Sequence, residues 1–204
     1  MNALKRTRPS WLLAAAGLLC GGCVGFGSTE ESRFYLLPPL GAEAAPADRN
    51  DSLCVQLAVV ELPGHLGGPE IVTRSRGTRL ELADFDRWAE PLDENFADVL
   101  ATNLSVLLGS DRVFRRSWER PGPVDYSVTL AVHRFDEDRG TVHLSTSWKL
   151  SREALDDALV TRRSVHSRAV DSDSYRAIVR AMGAALADLS REIADEIAAR
   201  AGSS

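Results

Sequence analysis

The sequence predicts an α+β fold, a mixed α/β sandwich in which one largely antiparallel sheet is packed by two long helices. Three observations lead there. Two long segments, Pro91–Leu108 and Ser174–Arg200, repeat apolar residues at spacings of three and four. Segments 126–133 and 142–150 alternate apolar and polar residues, the pattern of half-buried strands. Pro- and Gly-rich stretches punctuate the rest at strand-length intervals.

Taken in order, Arg33 to Leu37 (RFYLL) is apolar and aromatic and reads as a strand stopped by Pro38-Pro39. Residues 38–52 are rich in Pro, Ala, Gly and Asp and read as a loop. Leu53 to Leu62 is a strand ended by Pro63-Gly64, and His65–Pro69 is turn-rich. Residues 71–75 and 78–83 flank Arg76-Gly77 as a hairpin. In the first helix Leu92, Phe96, Val99, Leu100, Asn103, Leu104 and Leu107 share one face. Pro91 suits its first position, Asp93 and Glu94 suit the positive end of the dipole, and Gly109 suits the exit. Strands 126–133, 142–150 and about 158–169 form an antiparallel meander with one wet face, the first turn spanning Asp136–Gly140. The last helix carries its stripe on Ile178, Met182, Ala185, Leu189, Ile193 and Ile197, with Asp171–Asp173 as the cap region.

The 204 residues suffice for one ordinary domain. With 26% charged and 44% hydrophobic residues the chain is not disordered throughout. A net charge of −5 argues against a general nucleic-acid binder.

The N-terminus reads as an address. Lys5, Arg6 and Arg8 precede an uncharged apolar run from Trp11 to Cys20, then Gly21-Gly22. That run is half the length a membrane-crossing helix needs. Leu19-Cys20-Gly21-Gly22-Cys23 resembles a bacterial lipobox, with small residues before Cys23 as the acceptor cysteine; Cys20 stands where the pattern usually has leucine. The expected organisation is a signal peptide over 1–22, a lipidated tether over 23–32, and a single domain over 33–204. Two or more acyl chains on Cys23 would anchor the chain stably. Val24, in place of an aspartate, favours the outer membrane. Loss of residues 1–22 leaves 21 basic against 29 acidic residues, a net charge of −8. Cys54 lies in an apolar stretch and reads as a buried, inert thiol.

Catalytic signatures are missing: the sequence has no G-x-S-x-G, P-loop or dinucleotide fingerprint. Symmetric turns would align His133, His143 and His166 across the wet face, a geometry open to metal binding or pH sensing, but three unrelated surface histidines are the simpler reading. Asp84, Asp86 and Glu90 could suggest paired-carboxylate chemistry, yet solvated acids near a helix start explain them more simply. Arg115-Arg116 and Arg162-Arg163 are doublets of the kind that guard strand edges. No metal or cofactor is expected.

Three segments together resemble a family. Phe34-Tyr35-Leu36-Leu37 after a lipobox, Ile71-Val72-Thr73-Arg74, and Trp88-Ala89-Glu90-Pro91-Leu92 followed by Phe96, Leu100, Asn103 and Leu104 look like the ABC-type transport auxiliary lipoproteins, the PqiC family. The likeness is strong over about residues 33–108. It implies a non-enzymatic outer-membrane lipoprotein facing the periplasm. It further implies a homo-oligomer that docks the distal end of a tube formed by an MCE-domain protein and supports membrane integrity. Arg74, Arg87 and Trp88 are the interface candidates, since aromatic and Arg side chains dominate hot spots; Trp88 serves equally as a staple at the start of the first helix. The rival reading is a stand-alone periplasmic lipid carrier, which needs a closed apolar cavity.

Overall fold

The computed structural model describes residues 30–46, 49–75, 77–116, 122–152 and 158–202. Their elements, in order, are β1 (Arg33–Tyr35), β2 (Val55–Glu61), β3 (Glu70–Ser75), β4 (Arg79–Trp88), α1 (Leu92–Leu108), β5 (Val113–Arg115), β6 (Tyr126–Asp138), β7 (Thr141–Ser151), β8 (Ala158–Ala169) and α2 (Tyr175–Ala201). This is the α+β architecture read from the sequence.

The spine is β6. Along one edge it carries β7 in an antiparallel ladder, and β7 carries β8 the same way. Along its other edge β6 runs parallel to β2 from Tyr126 to Ala131 and meets β3 in parallel at Glu137 and Asp138. The long ladders are therefore antiparallel, as expected. The sheet is nonetheless mixed, because β1 joins β4 and β5 joins β2 in parallel too. These parallel joins, and β5 itself, are absent from the sequence-based expectation. Short parallel pairings are long-range, and local periodicity carries no information about them. The hairpin strand expected to end at residue 83 continues as β4 to Trp88.

Both helices follow their apolar stripes. Leu92, Phe96, Val99, Leu100, Asn103 and Leu104 of α1 are buried, as are Ile178, Met182, Ala185, Leu189, Ile193 and Ile197 of α2. Pro91 is the residue before α1, one position earlier than expected. Gly109 ends the helix at φ 61°, a left-handed conformation that costs glycine least, with its N–H on Ser105 and Val106 carbonyls. Ser174 caps α2 by accepting the Ala177 N–H, while Asp171 instead pairs with Arg180. The helices pack on the face that β6 and β7 line with Tyr126, Val128, Leu130, Val142, Leu144, Trp148 and Leu150. Phe96 meets Phe135 edge-on, centroids 5.4 Å apart. Cys54 is fully buried, as expected.

A bulge between Val132 and Arg134 advances β6 by one residue. Before it, even-numbered residues face the helices; after it, Phe135 does, and Asp136 turns to the outer face opposite His143. The strand then continues to Asp138. The turn is only Arg139-Gly140, both at positive φ (53° and 76°), the two-residue hairpin geometry.

Candidate functional site

Two of the three motif segments, 34–37 and 88–92, meet at one node, and the third, 71–74, begins next to it and runs away along β4. Segment 33–40 is a belt that leaves the sheet edge and crosses both helices. Its first residues form β1, paired with Asp86, Arg87 and Trp88. Ala89 donates its N–H to the Tyr35 carbonyl at 2.9 Å, and Trp88 donates to the Pro69 carbonyl at 2.7 Å. The W-A-E-P-L run thus holds the belt on one side and the loop before β3 on the other.

Beyond β1 no ladder is left to satisfy the belt's N–H groups, so two asparagines of α1 take over. Asn95 Oδ1 accepts the Leu37 N–H at 2.8 Å, and Asn103 Oδ1 accepts the Leu40 N–H at 2.7 Å. Eight helical residues rise about 12 Å, and three extended ones span about 10 Å, so the two spacings match. Each asparagine is itself fixed: Asn95 Nδ2 donates to Glu90 at 2.6 Å, and Asn103 Nδ2 donates to Ser190 of α2 at 3.1 Å. Between them Leu37 is buried, and Pro38 lies against Gly183 of α2. A Cβ at Gly183 would come within 2.5 Å of Pro38 Cγ, so the close crossing requires a residue without one.

Asp86 locks the start of the belt. Arg33 donates to it through Nε (2.8 Å) and Nη2 (2.7 Å), and the Tyr35 hydroxyl adds a third bond at 2.7 Å. The Arg33 bonds hold the Asp86 carboxyl below the usual carboxylate range; burial opposes them and the Tyr35 bond assists. Burial, then the bond to Asp86, pushes the Tyr35 hydroxyl up. A group with a depressed pKa stabilises the fold above its unfolded value and loses that contribution as pH falls through its folded value. Wild type should therefore exceed Asp86→Asn in stability by about 1–2 kcal/mol at neutral pH, a figure reduced because Arg33 is half-exposed. Denaturant titrations at several pH values should show the gap closing below about pH 4, where unfolded aspartate protonates. A gap that stays constant into acid would show that Asp86 contributes through packing alone.

The interface candidates are not one cluster. Arg87 and Trp88 adjoin in β4, whereas Arg74 pairs with Leu80 at the far end of the β3–β4 ladder. Trp88 is 5% exposed and part of the core. Little of its ring is therefore open to a partner in this structure. Arg74 points to the outer face and donates to Asp136 at 2.8 and 3.2 Å and to the Gly77 carbonyl at 3.0 Å. Its pKa is raised, chiefly by the Asp136 bonds. Arg134 holds the other Asp136 oxygen at 2.7 Å. Arg87 is half-buried, and its buried Nε has no hydrogen-bond partner among the described residues.

The histidine array does not form. The hairpin turns at Arg139-Gly140, later than a turn centred in Asp136–Gly140, so Asp136, not His133, stands opposite His143, and His166 pairs with Leu144 rather than His143. His133 meets Ser147, His143 meets Ser167, and His166 turns to Glu192 of α2 at 3.1 Å. Among the described residues no group of three or more metal-ligating side chains occurs. The carboxylates separate as well: Asp84 is exposed, Asp86 holds Arg33 and Glu90 holds Asn95. Arg115 pairs with Asp98 and Arg162 with Glu196, while Arg116 and Arg163 are exposed. Cys23 lies outside the described residues, and among those residues no helix is long and apolar enough to cross a membrane. Asn95 and Asp136 were missed as structural residues. Asn95 had a legible signal, a second asparagine eight residues before Asn103 on the same helix face; Asp136 had none.

Comparison with known proteins places this arrangement. A family model described as the ABC-type transport auxiliary lipoprotein component matches residues 35–194. The intermembrane transport lipoprotein PqiC of Escherichia coli is 26% identical over 190 residues, covering 92% of this chain and 96% of its own, and that of Shigella flexneri matches equally. A crystal structure of an uncharacterized protein superposes with a TM-score of 0.68 at 24% identity, over 82% of this chain and 99% of the other. A protein of Xanthomonas campestris gives 0.65 at 17% identity, over 80% and 93%. These two show the fold.

Proposed function

Because the chain belongs to the family of ABC-type transport auxiliary lipoprotein components, we propose that it is the outer-membrane lipoprotein subunit of an MCE/ABC-type intermembrane lipid transport system. The likeness to PqiC supports a role in intermembrane transport. In the finer reading, Cys23 carries the lipid, residues 23–32 are the tether, and the body from residue 33 faces the periplasm. There, as a homo-oligomer, it docks the end of an MCE tube and supports membrane integrity.

The observation that carries this reading is the belt node. A lipid anchor is useful to an adaptor only if load on the tether reaches the body, and the first residues after the tether are bolted to β4, α1 and α2. The carrier reading draws less support. The depressions near Arg74 (about 490 Å³) and near Asp125 (about 540 Å³) are open, and charged side chains line both. Arg87, with an unsatisfied Nε beside the exposed Phe34, stays the better of the arginine interface candidates.

Crosslinking intact cells that carry a C-terminally tagged chain, followed by mass spectrometry of the solubilised envelope, tests the proposal. Recovery of an MCE-domain protein is expected. Recovery of none, with lipid bound to the isolated body, would leave the carrier in its place.

A further inference from the structure

We infer that the outer face of the belt is a membrane-seating patch, Phe34 and Leu36 entering the lipid surface to which the chain is tethered. The inference rests on the reading of Cys23 as the lipidated residue.

The belt has two unlike sides. Its inward groups are fully used: Tyr35 bonds Asp86, Leu37 is buried, and the Leu37 and Leu40 amides are taken by asparagines. Its outward side chains are large and apolar, Phe34 being 64% and Leu36 52% exposed. The folded body therefore displays them in fixed positions. Phe34 stands in parallel register with Arg87, on the face opposite the buried Asp86 and Trp88. Leu82, 58% exposed, lies earlier in the same strand.

Chain length selects the occupant. Ten residues separate Cys23 from Phe34. The path from Cys23 to Phe34 cannot exceed about 36–40 Å even fully extended. A patch held that near a bilayer meets it at high effective concentration, so weak intrinsic affinity is enough. The chemistry fits: aromatic and aliphatic groups enter the acyl boundary while an arginine on the same face, Arg87, stays at the headgroups. With a net charge of −8 after loss of residues 1–22, apolar insertion drives the seating and anionic lipid is not required.

The test uses the full lipidated chain reconstituted in phosphatidylcholine vesicles containing nitroxide lipid. A fluorophore is placed through Leu36→Cys, with Val165→Cys, a 66% exposed site on β8, as reference; Cys54 is fully buried and does not compete. Quenching at position 36 should exceed that at 165 by at least about twofold, insensitive to salt, and should fall when Phe34→Ser is added. Equal quenching at both sites overturns the inference. So does energy transfer between labelled copies without lipid quenching, which would make a second copy the occupant. Intact mass separates the two readings: a chain lacking acyl mass overturns both, whereas an acylated chain with residue 36 in water overturns only this one.

Discussion

Asp136→Ala should destabilise the fold by about 3 kcal/mol, a large fraction of a typical domain's total. Asp136 has no exposed side-chain surface and holds two arginines, one on each oxygen. Removing it leaves both guanidinium groups with their principal anion gone, Arg74 being only 20% and Arg134 31% exposed. The partial exposure of both keeps the loss at the lower end of the range for broken buried pairs. Position makes the loss matter. The β3 strand meets β6 through only two backbone-paired positions, Thr73 and Arg74, so the Arg74–Asp136 pair is the side-chain clasp at that junction. Hydrogen exchange should accelerate across β3, β4 and β1 together, ahead of β7 and β8. Asp136→Asn should lose less, since the amide oxygen still accepts one bond. A denaturation midpoint within about 0.5 kcal/mol of wild type for Asp136→Ala would show that the clasp is dispensable.

Asn103→Ala should cost about 2–4 kcal/mol and act on the belt specifically. Asn103 is completely buried and joins three elements: it accepts from Leu40 and donates to Ser190, whose hydroxyl bonds the Leu186 carbonyl. The alanine leaves the Leu40 N–H without an acceptor and opens a small cavity between the helices. Asn103→Leu restores volume and should recover little, because the amide stays unpaired. Thr102→Ala, on the exposed face of the same turn, is the matched control and should change stability by less than about 0.5 kcal/mol. Limited proteolysis should cut Asn103→Ala within residues 36–46 well before global unfolding. A protease pattern identical to wild type would mean that the belt is held without this bond.

These two residues differ in how legible they were. Asn103 sat on an apolar stripe whose helix was plain from spacing, so its burial could be anticipated although its partner could not. Asp136 was read as the first residue of a turn. Its burial depends on the bulge after Val132, which reverses the face of the residues from there to the Arg139-Gly140 turn. The histidine alignment that symmetric turns would give is absent because the hairpin turns at Arg139-Gly140, which sets Asp136 opposite His143. Trp88 was balanced between a partner contact and a staple; it is 5% exposed and part of the core, a placement that depends on how β4 extends past the expected hairpin.

What this sequence settled without help was whatever local periodicity encodes: two amphipathic helices, the β6–β8 meander and the α+β class. The resemblance of three motif segments pointed to the family that the family model then showed. The tertiary structure decided the parallel joins of β1, β2, β3 and β5, the placement of Asp86 and Asp136 beneath their arginines, and the crossing of the belt over Asn95, Asn103 and Gly183. Periodicity reports which side of an element is apolar, because burial selects side chains at each position. It carries nothing about which distant backbone amide a buried oxygen will meet, since that depends on register and on chain segments more than fifty residues apart brought into contact by the packed core.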